Sequence, residues 1–366
     1  MPLPPLVEPI AALSDEERTR TARHARLHRL GEIGQRRIAA AHVAVVGAGG
    51  LGSPVVLALA AAGVGTLTII DDDVVDLSNL QRQVMHRLSD VGAPKTDSAV
   101  RVAGELSATR VLPVRERLTP DNGARLLAGA DLVVDGSDEF SSREAVASAC
   151  ESLGVPLVWG TVQEFAGQVT VFWSRPPEPG VATRLSDLYA PGSEAPACSA
   201  VGVFGPLCLQ VGALMAGEAL KLVTGVGEPL LGRVLLIDAL ASTQREIALR
   251  PARAAAAAAR PATTDAPVDT VPEVDEPDDR AVLDVREADE VAVAAFPGAL
   301  HVPLAAVLAE PTAIEGPVVV VCQVGARARV AARALRAAGV EAWVLAGGMD
   351  AWTRRHAASA PAGAAS

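Results

Sequence analysis

Eight residues near the amino end constrain this chain more than any others: Val45-Val46-Gly47-Ala48-Gly49-Gly50-Leu51-Gly52. A β-branched run enters glycines spaced G-x-G-x-x-G and leaves as an Ala/Leu-rich helical stretch. That spacing permits a tight turn, lets backbone N–H groups approach a ligand closely, and points a helix N-terminus at the ligand's anionic part. The flanks fit the same architecture. Short β-branched runs (His42–Val46, Thr66–Ile70, Asp131–Asp135, Pro156–Trp159) alternate with helical stretches (Leu51–Ala62, Lys95–Leu106, Arg143–Leu153). Strands at Gly167–Trp173 and Arg233–Ala239 and a helix at Pro206–Val223 follow. The order predicts the α/β class, with a Rossmann-like, mostly parallel sheet wrapped on both faces. The stretch from Arg37 to Asp71 lacks formal charge between its ends and is long enough to span a bilayer. Six glycines and Pro54 divide it, so it reads as strand, loop, helix and strand, not as a membrane segment.

A chain of 366 residues suggests two domains. The composition changes at Arg250–Pro277, where five prolines, six consecutive alanines and several acids read as a linker. A second small α/β unit follows, with strands at Ala281–Val285, Val318–Cys322 and Ala342–Leu345 and a helix at Ala328–Ala337. The net charge of −11 disfavours general binding of nucleic acid or an anionic membrane, which both need cationic surface. The first residues lack the pattern of a secretory signal. Four scattered cysteines form no disulfide framework and no C-x-x-C pair. The expectation is a reduced, cytoplasmic protein. The six histidines form no ligand cluster.

Asp71 ends the strand after the glycine loop, 19 residues beyond Gly52, where a carboxylate can accept from ribose hydroxyls. Alone, this says nucleotide, with a nicotinamide or flavin cofactor as the default reading. The run Leu77-Ser78-Asn79-Leu80-Gln81-Arg82-Gln83 and then Lys95 add cations. A triphosphate needs them more than a dinucleotide pyrophosphate does, with Arg as a rigid fork and Lys as a point charge. Asp138, in Asp135-Gly136-Ser137-Asp138, is a candidate for Mg²⁺. The plainer alternative makes Arg82 and Lys95 solvated charges at helix ends.

These marks, with Arg20-Thr21-Ala22-Arg23-His24, Gly31-Glu32-Ile33-Gly34-Gln35-Arg36-Arg37, Ala62-Gly63-Val64-Gly65 and Gly92-Ala93-Pro94-Lys95, resemble the ubiquitin-activating-enzyme-like adenylyltransferases of the MoeB/ThiF type. The likeness covers residues 13–250. It implies a site for ATP and Mg²⁺ built from Gly47, Gly49, Gly50, Gly52, Asp71, Ser78, Asn79, Leu80, Gln81, Arg82, Lys95, Asp138 and Glu139. It also implies that Arg23 reaches the phosphates held by the other subunit of a homodimer. The family's tyrosine is Thr21 here, and the asparagine after its magnesium aspartate is Glu139. The two C-x-x-C pairs that hold zinc in many members are absent, and Ser186-Asp187-Leu188-Tyr189 stands where a zinc-less subgroup carries a similar stretch.

The cysteines divide into two kinds. Cys150 and Cys208 lie in apolar helical stretches and read as buried and inert. Cys198 sits in Ala195-Pro196-Ala197-Cys198-Ser199-Ala200-Val201-Gly202, a loop, and by resemblance matches a cysteine with a thioester or acyl-disulfide role in some relatives. Cys322 ends a strand and opens Cys322-Gln323-Val324-Gly325-Ala326-Arg327, where backbone N–H groups and a helix N-terminus would stabilise a thiolate. This loop resembles that of rhodaneses. Asp284-Val285-Arg286, Pro297-Gly298-Ala299-Leu300-His301-Val302-Pro303-Leu304 and Leu345-Ala346-Gly347-Gly348-Met349-Asp350-Ala351-Trp352 match other marks of that domain. The expected rhodanese-like unit is 280–356, with 251–279 as linker. The usual Gly-His is replaced by Ala295-Phe296, and the usual helix before the first strand is missing or degraded in the sequence.

Together the resemblances imply adenylation of the C-terminal Gly-Gly of a ubiquitin-fold sulfur carrier, then sulfur transfer from a Cys322 persulfide. Thiosulfate or a cysteine desulfurase would supply the sulfur, and the thiocarboxylate would serve molybdenum-cofactor, thiamine or cysteine-type metabolism. A dinucleotide-dependent oxidoreductase with a regulatory rhodanese tail and a non-catalytic carrier-binding scaffold stand as alternatives.

Overall fold

The computed structural model describes residues 3–189, 202–249, 271–323 and 325–357. Two compact units divide these residues, the first ending by residue 249 and the second starting from 271.

β1 (His42–Val46) lies third in the first unit's eight-stranded sheet, between two parallel neighbours. Its side chains alternate, as a strand buried on both faces requires: Val43 and Val45 enter one core layer, Ala44 and Val46 the other. β2 (Thr66–Ile70) and β3 (Arg110–Val114) extend the sheet on one side. β4 (Leu132–Asp135), β5 (Leu157–Gln163), β6 (Ala166–Phe172), β7 (Arg233–Asp238) and β8 (Thr243–Ala248) extend it on the other. The order is β3-β2-β1-β4-β5-β6-β7-β8. It is parallel through β5, and antiparallel from β5 to β8.

Helices cover both faces. α1 (Gly31–Ala40), α2 (Gly52–Ala62) and α3 (Lys95–Leu106) contribute to the layer of Val43 and Val45, and α4 (Phe140–Leu153) covers the layer of Ala44 and Val46. α5 (Gly205–Thr224) packs on α2, β5 and β6. By length and composition alone, α5 could cross a membrane. With 61% of that window buried in the protein, it reads as a core helix.

Two strands of the first unit escaped the sequence reading. β3 is an edge strand, which tolerates Pro113, and β8 is exposed along its whole length and has no apolar alternation. β4 starts one residue later than expected, after Asp131, whose side chain accepts the backbone N–H of His42 (2.7 Å).

The second unit is a parallel sheet in the order β11-β10-β12-β13-β9, from β9 (Glu273–Val274), β10 (Ala281–Asp284), β11 (Leu300–His301), β12 (Val318–Val321) and β13 (Ala342–Leu345). β9 lies within the stretch that composition reads as linker, and pairs with β13. α6 (Ala326–Ala337) buries Ala328, Ala331, Ala332 and Leu335 on one face of the sheet, and α7 (Gly348–Ala357) places Met349 against the other.

Candidate active site

The strand order turns back between β1 and β4, and ligands in open α/β sheets bind outside the carboxyl ends of strands at such a point. A cavity of about 310 Å³ opens there. Gly47 begins the loop at φ +85°, a conformation that favours glycine. Gly49 and Gly50 line the cavity. Gly52 lies beneath it, where a Cβ would collide with the carbonyl oxygen of Gly47. The peptide groups of Ala48 are held on both sides. Its N–H donates to Asp71 Oδ2 (2.7 Å), and its carbonyl lies 3.1 Å from His86 Nε2. Burial lowers the pKa of His86, so the ring is neutral and donates.

Asp71 also accepts from the N–H of Asp73 (2.9 Å). A carboxylate has about four lone-pair sites, so room remains for two hydroxyl donors. Burial raises its pKa, against the opposing pull of Lys95. Lys95, only 8% exposed, pairs with Asp73 at 2.7 Å at the start of α3. Arg82 enters from the turn after Leu77–Asn79, its stem over Gly50 and its Nη1 donating to Ser78 O (3.3 Å).

The expected set does not all reach the cavity. Gly47, Gly49, Gly50, Asp71, Asn79, Arg82, Lys95, Asp138 and Glu139 line it. Ser78, Leu80 and Gln81 lie outside the lining and build the turn that carries Arg82. The Ser78 hydroxyl donates to Asp76 (2.6 Å), while Asn79 Oδ1 accepts the N–H of Asp76 (3.1 Å). Gln81 packs against Gly205 at the start of α5. Arg23 is exposed on the short helix Ala22–Ala25 and is not part of this chain's cavity lining.

Several polar lining residues were missed by sequence reasoning, among them Asp72, Asp73, Arg117 and Arg143. Arg143 is the most unexpected, at 5% exposure within an alanine-rich helix. Its Nε and Nη2 donate to Ser137 O at 3.3 and 3.2 Å, and its guanidinium lies 5.7 Å from the Trp159 ring centroid. Asp135 is fully buried below it, and burial pushes that carboxyl's pKa up. Only the register of α4 on the sheet brings Arg143 to the cavity, and local sequence does not show register.

In the second unit, the Cys322 sulfur accepts backbone N–H groups from Gly325 (3.2 Å) and Ala328 (3.4 Å), at the start of α6. Arg327 grips Glu290 with both terminal nitrogens (2.5 and 2.6 Å). The loop is fixed from below. Arg286 pairs with Asp284 at 2.7 Å, both 1% exposed, and donates to Gln323 (3.1 Å). Gln323 donates to Asp350 (2.5 Å). Gly348, at φ +61°, passes so close to the Cys322 carbonyl that a Cβ would collide with it. Cys150 and Cys208 are 2% and 1% exposed. Burial raises the pKa of Cys150, and Cys208 lines the nucleotide cavity beside Gly50. Cys198 lies outside the described residues.

The ThiF family matches residues 21–258, and the rhodanese-like domain matches residues 270–355. The chain is 39% identical to a probable adenylyltransferase/sulfurtransferase MoeZ of Mycobacterium tuberculosis, over 96% of this chain and 97% of that one. It is 42% identical to a sulfur carrier protein adenylyltransferase of Thermus thermophilus, over 64% of this chain and 88% of the relative. Its fold is similar to that of Escherichia coli MccB (TM-score 0.56, 21% identity, 65% of this chain and 73% of that one). The chain therefore belongs to the ThiF family, and carries a rhodanese-like domain after its nucleotide-binding unit.

Proposed function

We propose that the protein uses ATP to adenylate the C-terminal glycine of a ubiquitin-fold sulfur carrier, then converts the activated carboxyl to a thiocarboxylate with sulfur carried on Cys322. The observation that carries the first half is the convergence of the glycine loop, Asp71, Arg82 and Lys95 on one cavity of a ThiF-family chain. Asp71 would hold the ribose hydroxyls, and the loop amides would face the phosphates. The carrier carboxylate attacks the α-phosphorus, pyrophosphate leaves, and a mixed anhydride forms. Arg82 and Lys95 stabilise the charge on the departing phosphates, so catalysis here is mostly placement and electrostatics.

Asp138 is one of several exposed carboxylates that line the cavity, and one carboxylate suffices for a magnesium ion that keeps most of its waters and binds mainly to substrate phosphates. When bound, the ion neutralises phosphate charge. In a homodimer, the exposed Arg23 of each subunit would add a cation to the other subunit's nucleotide.

For the second half, the Cys322 thiolate attacks the terminal sulfur of a donor such as thiosulfate or a desulfurase persulfide, sulfite or the donor's thiolate leaves as the donor S–S bond breaks, and a persulfide forms on Cys322. The amides of Gly325 and Ala328 stabilise negative charge on the Cys322 sulfur. The terminal sulfur attacks the acyl-adenylate, AMP leaves, and an acyl disulfide forms. Attack by Cys198 on the Cys322 sulfur would release the thiocarboxylate and leave a Cys198–Cys322 disulfide for an external thiol to reduce. Sharing one chain raises the effective concentration of the two units, to the order of millimolar for a short linker.

The test is to incubate the full chain with ATP, Mg²⁺, thiosulfate and candidate Gly-Gly-ended carriers and weigh the carriers. A gain of one sulfur in place of one oxygen supports the proposal. Absence of ATP–pyrophosphate exchange with every carrier would sink its first half.

A further inference from the structure

Arg117 has no part in the chemistry above, yet its position is tightly specified. It follows β3, the edge strand, and its Nε donates to Asp72 Oδ2 and its Nη1 to Glu139 Oε2, both at 3.2 Å. Asp72 follows β2 and Glu139 follows β4, the two strands that flank β1. Adjacent strands lie about 4.8 Å apart, so the guanidinium bridges the mouth of β1 from one flank to the other. All three residues line the nucleotide cavity. Their side chains are 54%, 42% and 50% exposed. Ion pairs that exposed add little to folding, so stability does not account for the arrangement.

Its place in the cavity does. Leu118, the next residue, packs with Val46 and Ile70 in the layer under α4. The glycine loop leads into α2, which belongs to the opposite layer. Arg117 thus stands beside Leu118 on the α4 side of the cavity and is bonded to Asp72, the neighbour of Asp71, so the base of a nucleotide whose sugar meets Asp71 would lie beside it. A guanidinium held at both edges offers its face to a π system.

We propose that Arg117 contacts the nucleobase, and that Glu139 is a positioning residue that acts through Arg117 and not as a metal ligand. This rests on ATP being the nucleotide bound. It also accounts for the carboxylate at a position where the family usually has asparagine.

Glu139 acting as a bare charge and Glu139 acting through Arg117 predict opposite signs, while a metal ligand would weaken Mg²⁺-ATP and Mg²⁺-tripolyphosphate alike. A carboxylate acting only through its charge repels a polyanion, so Glu139→Gln would tighten ATP binding. A carboxylate that positions Arg117 makes the same substitution weaken it. The experiment titrates the full chain with Mg²⁺-ATP, and separately with Mg²⁺-tripolyphosphate, a probe without a base. At about 0.15 M salt, charges more than about 8 Å apart are largely screened. Glu139→Gln should weaken ATP about threefold, and Arg117→Ala about tenfold. Tripolyphosphate affinity should move clearly less than ATP affinity in both. The double variant should be no weaker than Arg117→Ala, as expected for residues acting as one unit. In pyrophosphate exchange, KM for ATP should rise in Arg117→Ala while kcat stays near wild type. Tighter or unchanged ATP binding in Glu139→Gln overturns the proposal, and so does an equal loss of ATP and tripolyphosphate binding in either single variant. A wild-type chain that binds no ATP overturns the underlying reading as well, and this result is distinct from the others.

Discussion

At the residue scale, the buried Asp71 carboxylate sets a pH dependence. Its pKa is raised chiefly by burial, so it takes up a proton at a higher pH than an ordinary aspartate. The protonated group is a poorer acceptor for sugar hydroxyls. ATP affinity should therefore fall as pH is lowered through that raised pKa, and Asp71→Asn should bind ATP weakly with no such step; isothermal titration across acid pH checks both. Arg82→Ala should slow pyrophosphate exchange by at least ~10²-fold, as for other removed electrostatic stabilisers. Cys322→Ala should abolish sulfur transfer from thiosulfate and leave pyrophosphate exchange intact, which a paired assay reads directly. The residues behind these predictions were legible because each sits at a fixed offset from a strand end or a glycine. Arg117 and Arg143 were not. Arg117 is placed by partners 45 and 22 residues away in sequence, and Arg143 by the packing of a helix on the sheet.

At the element scale, strands buried on both faces were the easiest to read. β1, β2 and β13 have the expected bounds, because their short, mainly apolar and β-branched runs are buried at nearly every position. β3, β8, β9 and β11 were invisible for the converse reason. They lie at edges, bury little, and owe their conformation to a neighbour's hydrogen bonds. The same logic locates fragile points where backbone meets backbone. Gly348→Ala would place a Cβ against the Cys322 carbonyl and strain a left-handed residue, at a cost of about 1–3 kcal/mol. Thermal melting should show a destabilised second unit and thiosulfate assays a loss of sulfur transfer, with pyrophosphate exchange retained.

At the scale of the whole molecule, each unit carries its own hydrophobic core on both faces of its own sheet. Separate cores predict separate cooperative transitions. Calorimetry of the full chain should resolve two, and saturating Mg²⁺-ATP should raise only the one belonging to the nucleotide-binding unit, by about 2.7 kcal/mol at a hundredfold excess over Kd. Composition marks the change between the two units, but β9 places residues 273–274 of that Ala/Pro/acidic stretch in the second sheet.

The three cysteines among the described residues are almost entirely shielded, and Cys322 is 1% exposed despite being the proposed carrier of reactive sulfur. A thiol closed in this way meets dissolved peroxide or a bulky maleimide slowly, whatever its intrinsic nucleophilicity. Cys322 of the resting protein should therefore survive handling in air, and should be vulnerable mainly while a donor or acceptor is seated against it.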